Sequence, residues 1–279
     1  MKEHIRAGGR AVVLEPGLNG NMIAIYDHGA HIPLVWAHLL PATLEGRALH
    51  NVQNAMFAAG IAFSMGVKLE DIRHGLRTFD TTFFQAPGRM NVFTEHPFKV
   101  IVDYGHTPAA VQVMCDLAER LEVKGRRLVV LAAPGDRRDE DIAEIGRRAA
   151  KHFDRYIVRR DDGLRGRKPD EVPKMLRAAL LEAGVDASHI ELIADEQHAV
   201  DAALRMARPG DLLLIFADAL QRTWNQVSGF RPEQSAPRAE TSEPPRVEIP
   251  VGPAPAMDDG AIIRDERGVR LARETESSD

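Results

Sequence analysis

The segment His50-Asn51-Val52-Gln53-Asn54-Ala55 opens a stretch of helical periodicity and places two asparagines three residues apart, on one helical face. Each carboxamide can donate and accept a hydrogen bond at once, as reading the edge of an adenine requires. A plainer role is open to Asn51, whose side chain as an N-cap would accept from an orphan backbone N–H. Asn54 is harder to explain in that way.

A second group follows downstream. Pro87-Gly88-Arg89-Met90 precedes Val100-Ile101-Val102-Asp103-Tyr104-Gly105-His106-Thr107-Pro108, in which Asp103 closes an apolar run just before a turn and a helical stretch. The carboxyl ends of strands are where open α/β sheets place ligand-binding groups, and a carboxylate there can accept from ribose hydroxyls. Arg89 offers a planar fork suited to phosphate. The plainer roles are a turn cap for Asp103 and a surface ion pair for Arg89.

Gly135-Asp136-Arg137-Arg138-Asp139 lies after the next apolar run and Asp161-Asp162-Gly163-Leu164-Arg165-Gly166-Arg167 after the one following. Asp136, Arg137, Asp162 and Arg165 bring both signs of charge to one edge of the sheet, enough to clamp a zwitterionic amino acid. Each could equally be a helix cap or a solvated charge. His28, His31, His38 and His50 lack the i, i+4 spacing and the neighbouring thiolates of a zinc site, so no structural metal is expected.

These groups need a scaffold to position them. Ala11–Glu15 and Met22–Tyr26 are short apolar runs around Pro16-Gly17-Leu18-Asn19-Gly20, which predicts a β-hairpin. His31–Ala37 is a third extended run, and helical periodicity then covers Asn51–Met65 and Leu69–Phe79. From Lys99 the pattern becomes βαβ alternation: apolar runs at Lys99–Asp103, Arg127–Ala132, Arg155–Val158, Ile190–Ile193 and Leu212–Phe216, each followed by a helical stretch. The expected fold class is α/β, with a Rossmann-like, mostly parallel sheet in residues 94–231. Residues 1–93 form a smaller preceding region, joined through a hinge at Thr81–Phe93 that Pro87-Gly88 punctuates. Beyond Arg231, prolines at 232, 237, 244, 245, 250, 253 and 255 predict a disordered linker and tail over 232–279, with Ala261–Ala272 strand-like enough to dock as an edge strand.

A length of 279 residues with 44% hydrophobic and 28% charged residues is enough to bury a core and leans toward two domains. The net charge of −5 gives no electrostatic reason to expect nucleic acid or an anionic membrane as a partner. The single Cys115 excludes an intrachain disulfide and suits a reducing cytoplasm. No apolar run is long enough for a membrane helix, and the N-terminus lacks the apolar core of a signal peptide.

Taken in order, H-N-x-x-N-A, P-G-R, D-Y-G-H-T-P and G-D-R resemble the Mur ligase superfamily over about residues 1–231, and the stretch from Leu49 through Ala109 is similar to its cyanophycin synthetase branch. The resemblance implies a central domain that binds ATP and Mg²⁺ and a C-terminal Rossmann-like domain that closes over it with the incoming amino acid. Carried onto this chain, Asn51 and Asn54 match the adenine readers and Asp103 the ribose-binding aspartate. Arg89 matches the hinge arginine that meets the phosphates, His106 supports the hinge turn, and Asp136 and Arg137 line the acceptor side. The implied reaction activates the β-carboxyl of a terminal aspartate in a poly-aspartate chain and joins arginine to it.

One feature of such ligases is missing. No G-x-x-x-x-G-K-S/T loop occurs, and none of the seven lysines has that context. The resemblance then implies that the chain starts inside the central domain, past the nucleotide loop and the Mg²⁺ ligands, with an exposed sheet edge. Three expectations follow: part of a ligase needing a companion chain that carries the loop and inactive alone, a binding module without catalysis, or an inactive remnant.

Overall fold

The computed structural model describes residues 1–232 and the backbone of two short strands at 262–265 and 268–271. Contacts divide the chain into two compact units, Met1–Glu233 and Gln234–Asp279.

A short helix, α1 (Lys2–Arg6), precedes an antiparallel sheet of β1 (Ala11–Gly17), β2 (Gly20–Asp27) and β3 (Ala30–Trp36) in that order. The predicted hairpin is present. Gly17 faces Gly20 across the turn, and Gly20 takes a φ of +107°, a conformation in which a Cβ would be strained. Pro33 is accommodated because β3 is an edge strand, which does not need every N–H for pairing. On one face of this sheet lie α2 (Leu49–Ser64) and α3 (Leu69–Thr78), sharing a core of Ile23, Ile25, Leu34, Val35, Val52, Ala59 and Ile72.

The two helices differ in character. On α3, Glu70, Asp71 and Arg77 are exposed and Arg73 donates to the Pro33 and Leu34 carbonyls of β3, whereas α2 contains no Asp, Glu, Lys or Arg. Helix α2 starts at Leu49, so Asn51 is its third residue. The flanking cap is Ala48, which corrects the N-cap reading of Asn51.

The second sheet has six strands: β4 (Asn91–Phe93), β5 (Lys99–Asp103), β6 (Arg127–Leu131), β7 (Arg155–Val158), β8 (Ile190–Leu192) and β9 (Leu212–Phe216), in the order β4-β5-β9-β6-β7-β8. Only β4 is antiparallel. It is an addition to the expected strands, too short to carry a periodicity.

The helices are α4 (Pro108–Arg120), α5 (Asp139–Ala149), α6 (Glu171–Glu182), α7 (Glu196–Met206) and α8 (Leu220–Gly229). Alternate residues of each strand face opposite layers. Ile101, Val129, Leu131 and Leu214 pack with Val111, Met114, Ile142 and Leu176 of α4–α6, while Val100, Val102, Val130 and Leu213 pack with Ala199, Val200, Leu204 and Val227 of α7 and α8.

The chain steps outward from β5 to β8, then doubles back through α7 to insert β9 between β5 and β6. That reversal places the ends of β5, β9 and β6 where connections diverge, the position at which such sheets bind ligands.

In the second unit, Ile262–Asp265 (β10) and Gly268–Leu271 (β11) pair as an antiparallel hairpin. The expected linker over 232–260, and the docking of the tail as an edge strand, lie outside the described residues.

Candidate functional site

A cavity of about 840 Å³ opens between α2, α3, the first turns of α4 and the loop before β4. Its wall is mainly apolar, from Leu40, Ala55, Ala58, Ile72, Leu76, Phe79, Val113 and others, and besides Thr43 and Thr81 five polar residues line it: His50, Asn51, Asn54, Arg89 and Asp103. An apolar slot with a few convergent polar groups suits a ligand with a flat heterocycle and a polar tail. Four of the five are the residues that sequence singled out.

Asp103 ends β5 and is 9% exposed. Its Oδ2 accepts from the Met90 N–H at 2.9 Å and its Oδ1 from the Gly105 N–H at 2.7 Å. Burial pushes its carboxyl above the usual range, opposed by those two hydrogen bonds and by the electrostatic influence of Arg89 and His106. Asp103 therefore both caps its own turn, as the plainer reading has it, and lines the cavity with acceptor sites to spare.

The turn bearing Arg89 is held from several sides. Tyr104 N–H donates to Gly88 O at 2.8 Å, Gly88 N–H to Asn91 Oδ1 at 2.7 Å, and Asn91 Nδ2 to the carbonyls of Thr81 and Ala86 at 2.8 Å each. A Cβ on Gly88, whose φ is +70°, would lie 2.6 Å from Leu220 of α8. Phe83 stacks on Trp224 of the same helix at 4.9 Å. Pro87-Gly88 is thus fastened to the six-stranded sheet and its helices. The Arg89 guanidinium has no hydrogen bond or ion pair among the described residues, which removes the surface-pair reading.

The two asparagines are not equivalent. Asn51 Nδ2 donates to Ala42 O at 2.7 Å and its Oδ1 accepts from Asn54 Nδ2 at 3.1 Å, so its amide is largely occupied within the fold. Asn54 keeps its Oδ1 and its second N–H for a ligand. His50 beside them is held below the usual histidine range by burial and then by the Arg120 charge.

His106 does not line this cavity. Its Nδ1 meets Tyr104 O at 3.0 Å, and it faces a small recess with Arg159, Asp161 and Asp218 at the ends of β5, β7 and β9.

Asp136 and Arg165 are brought together, both carboxylate oxygens lying 3.0 Å from Nη1. Asp162 pairs with Arg222 at 2.6 Å. Arg167 closes the same loops by donating to the carbonyls of Gly135 and Arg137 at 2.7 Å each. Arg137 has a buried Nε without a partner.

Sequence reasoning missed the centre of this edge. Arg159, 1% exposed, pairs with Glu196, 0% exposed, at 2.7 Å, and Glu196 also accepts from Asp218 N–H, Ala219 N–H and Thr223 Oγ1. Nothing in a charge pattern reveals partners so far apart. Among the described residues no group of three or more His, Cys, Asp or Glu could hold a metal ion, and no helix is long and apolar enough to cross a membrane.

Residues 88–219 match the Mur ligase glutamate ligase domain. The chain belongs to the Mur ligase superfamily. Within it, the chain is similar to the C-terminal part of cyanophycin synthetase: it is 36% identical over 229 residues to the enzyme of Crocosphaera subtropica, covering 82% of this chain and 26% of the relative. It thus spans about a quarter of the length of the cyanophycin synthetases it matches. The UDP-N-acetylmuramoyl-L-alanyl-D-glutamate–2,6-diaminopimelate ligase of Corynebacterium efficiens is 32% identical over 215 residues, covering 74% of this chain and 37% of that protein. Among solved structures, the folylpolyglutamate synthase of Mycobacterium tuberculosis, complexed with ADP and AMPPCP, shares the fold with a TM-score of 0.55 at 18% identity, over 83% of this chain and 52% of that one.

Proposed function

We propose that this chain supplies the C-terminal part of an ATP-dependent ligase that joins arginine to the aspartate β-carboxyl of a poly-aspartate chain. The observation that carries this reading is the convergence of Asn51, Asn54, Arg89 and Asp103 on one cavity. In this reading residues 1–93 are the end of a central ATPase domain and 94–231 the domain that brings the amino acid.

The adenine lies in the apolar slot, with Asn54 as the free amide on its edge and Asn51 holding Asn54 in place. Asp103 accepts from the ribose. Arg89 meets the phosphates, and Mg²⁺ enters with the nucleotide. Phosphoryl transfer to the β-carboxylate turns a poor leaving group into an acyl phosphate with release of ADP. The α-amine of arginine then attacks the carbonyl, the C–O bond to phosphate breaks, and the amine proton is lost. The cations stabilise charge on the transferred group. Asp136, Arg137, Asp162 and Arg165 lie on the acceptor side, and His106 stays a support of the turn after Asp103.

The 279 residues contain no phosphate-loop motif, so in this reading the loop is supplied from outside them. The test is to exchange this chain for the segment it matches in the C. subtropica enzyme and follow ATP-dependent incorporation of arginine onto a poly-aspartate primer. Incorporation by the fusion, with no ATP hydrolysis by the chain alone, is expected. Substantial hydrolysis by the chain alone, or a fusion that binds nucleotide without incorporating arginine, contradicts the proposal, and the second result favours a binding module.

A further inference from the structure

The cavity is longer than the base that its asparagines would hold. On α2 the polar lining ends at Asn54, and Ala55, Ala58 and Ala62 continue the wall along the same side of the helix. From Asn54 to Ala62 is about 12 Å at 1.5 Å per residue, more than two helical turns, whereas a two-ring purine spans little more than one. Ile72, Gly75 and Leu76 of α3, with Phe79 just after it, form the facing stripe at helical spacing. Beyond Asn54 neither helix contributes a polar side chain to the lining, so the cavity runs on as an apolar slot between α2 and α3.

Gly75 keeps this slot open. It lies inside α3 and is not among the glycines with positive φ, so its backbone does not call for glycine. A Cβ at this position would meet nothing within 4 Å, so no close neighbour calls for it either. A glycine inside a helix is less stable than an alanine, and here neither turn geometry nor packing offsets that loss. Position 75 falls between Ile72 and Phe79 on the stripe that faces the cavity, so a side chain there would take up the room beyond Asn54. Space for a ligand is the function that remains for it.

We propose that the slot between α2 and α3 is an apolar subsite continuous with the base site, and that it takes an uncharged ring carried on the amino group of an adenine. The ligand class is therefore the N⁶-substituted adenine nucleosides and nucleotides. A secondary amine at N⁶ keeps one N–H for Asn54 Oδ1, while its substituent leaves the base along Ala58 and Ala62 and exchanges water for contact with Ile72 and Leu76. The placement of the base rests on the nucleotide reading above, whereas the subsite is read from a ratio of two affinities.

The test titrates adenosine and N⁶-benzyladenosine, neither of which carries a phosphate, into the full chain and into its Gly75→Ala and Gly75→Leu variants by calorimetry. Both substitutions replace a helix glycine with a better helix former, so urea midpoints no lower than the parent's are expected. N⁶-benzyladenosine is expected to bind the parent and Gly75→Ala about tenfold more tightly than adenosine does, from burial of the ring. In Gly75→Leu, where the new side chain fills the subsite, that preference is expected to vanish. If adenosine binds the parent and the benzyl group adds nothing, the subsite is overturned and the nucleotide reading stands. A preference that survives Gly75→Leu puts the benzyl group elsewhere and also overturns the proposal. If neither nucleoside binds, the nucleotide reading fails and the subsite falls with it.

Discussion

The Met90 N–H donates to Asp103 Oδ2 at 2.9 Å, joining the loop that carries Arg89 to the end of β5. A single carboxylate thereby sets two candidate ligand contacts at once, its own and the direction of the neighbouring guanidinium. Replacing Asp103 with Ala leaves the Met90 and Gly105 N–H groups without their acceptor, a loss of about 1–3 kcal/mol for buried donors. Urea unfolding of Asp103→Ala should fall by that amount, with ADP binding lost in the fusion. A variant of unchanged stability would mean that water replaces the carboxylate.

Arg89 behaves differently because its guanidinium has no hydrogen bond or ion pair among the described residues, only a longer-range attraction to Asp103. Arg89→Ala should change stability by no more than about 0.5 kcal/mol. A charge-assisted contact to phosphate is worth about 1.5–3 kcal/mol, so calorimetry on the fusion should show ADP affinity falling about tenfold or more. Unchanged ADP affinity in Arg89→Ala would remove Arg89 from the phosphate site.

The asparagine pair separates structure from recognition. Asn51→Ala removes the donor to Ala42 O and the acceptor for Asn54, and is expected to destabilise by about 1 kcal/mol as well as weaken binding. Asn54→Ala leaves stability unaltered and reduces discrimination between ADP and GDP. Denaturant midpoints and competition binding check the two effects. The opposite pattern, with Asn54 carrying the stability, would reverse the roles.

Some of this was legible in the sequence for a definite reason. Strands β5, β6, β7 and β9 are covered by helices on both faces, so they read as unbroken apolar runs. The Pro-Gly-x-Asn-Gly turn announced the β1–β2 hairpin. Strand β4 was not legible, since Asn-Val-Phe is too short for a pattern and its first residue, Asn91, is a buried amide serving the Arg89 turn. The start of α2 was misplaced because Ala48 caps without a side-chain signal. Asp136, Asp162 and Arg165 were recognisable as strand-end charges, but their pairing with each other and with Arg222 depends on how two loops and α8 meet. The fastening of this linker rests on tertiary contacts, of Gly88 with Leu220 and of Phe83 with Trp224.

Asp161 yields a prediction with a sign. It is 8% exposed at the end of β7, and its carboxyl is raised to about 6, first by burial, against the pull of Arg159 at 3.6 Å and with help from the Asp218 and Glu196 charges. A carboxyl with a folded value above its unfolded value binds its proton more tightly in the folded state. Its ionisation therefore opposes folding. The destabilisation is absent below about pH 4, grows as pH rises from about 4 to about 6 and stays constant above, reaching at most about 3 kcal/mol for a shift of roughly two units. Asp161→Asn, which cannot ionise, should be more stable than the parent at pH 7.5, while the two converge near pH 4. The difference between their urea midpoints across that range is the readout, because the carboxylates remote from Asp161 titrate alike in both. If Asp161→Asn is instead less stable at pH 7.5, the attraction of Arg159 outweighs desolvation, and the ionised carboxylate is part of the buried Arg159–Glu196 network.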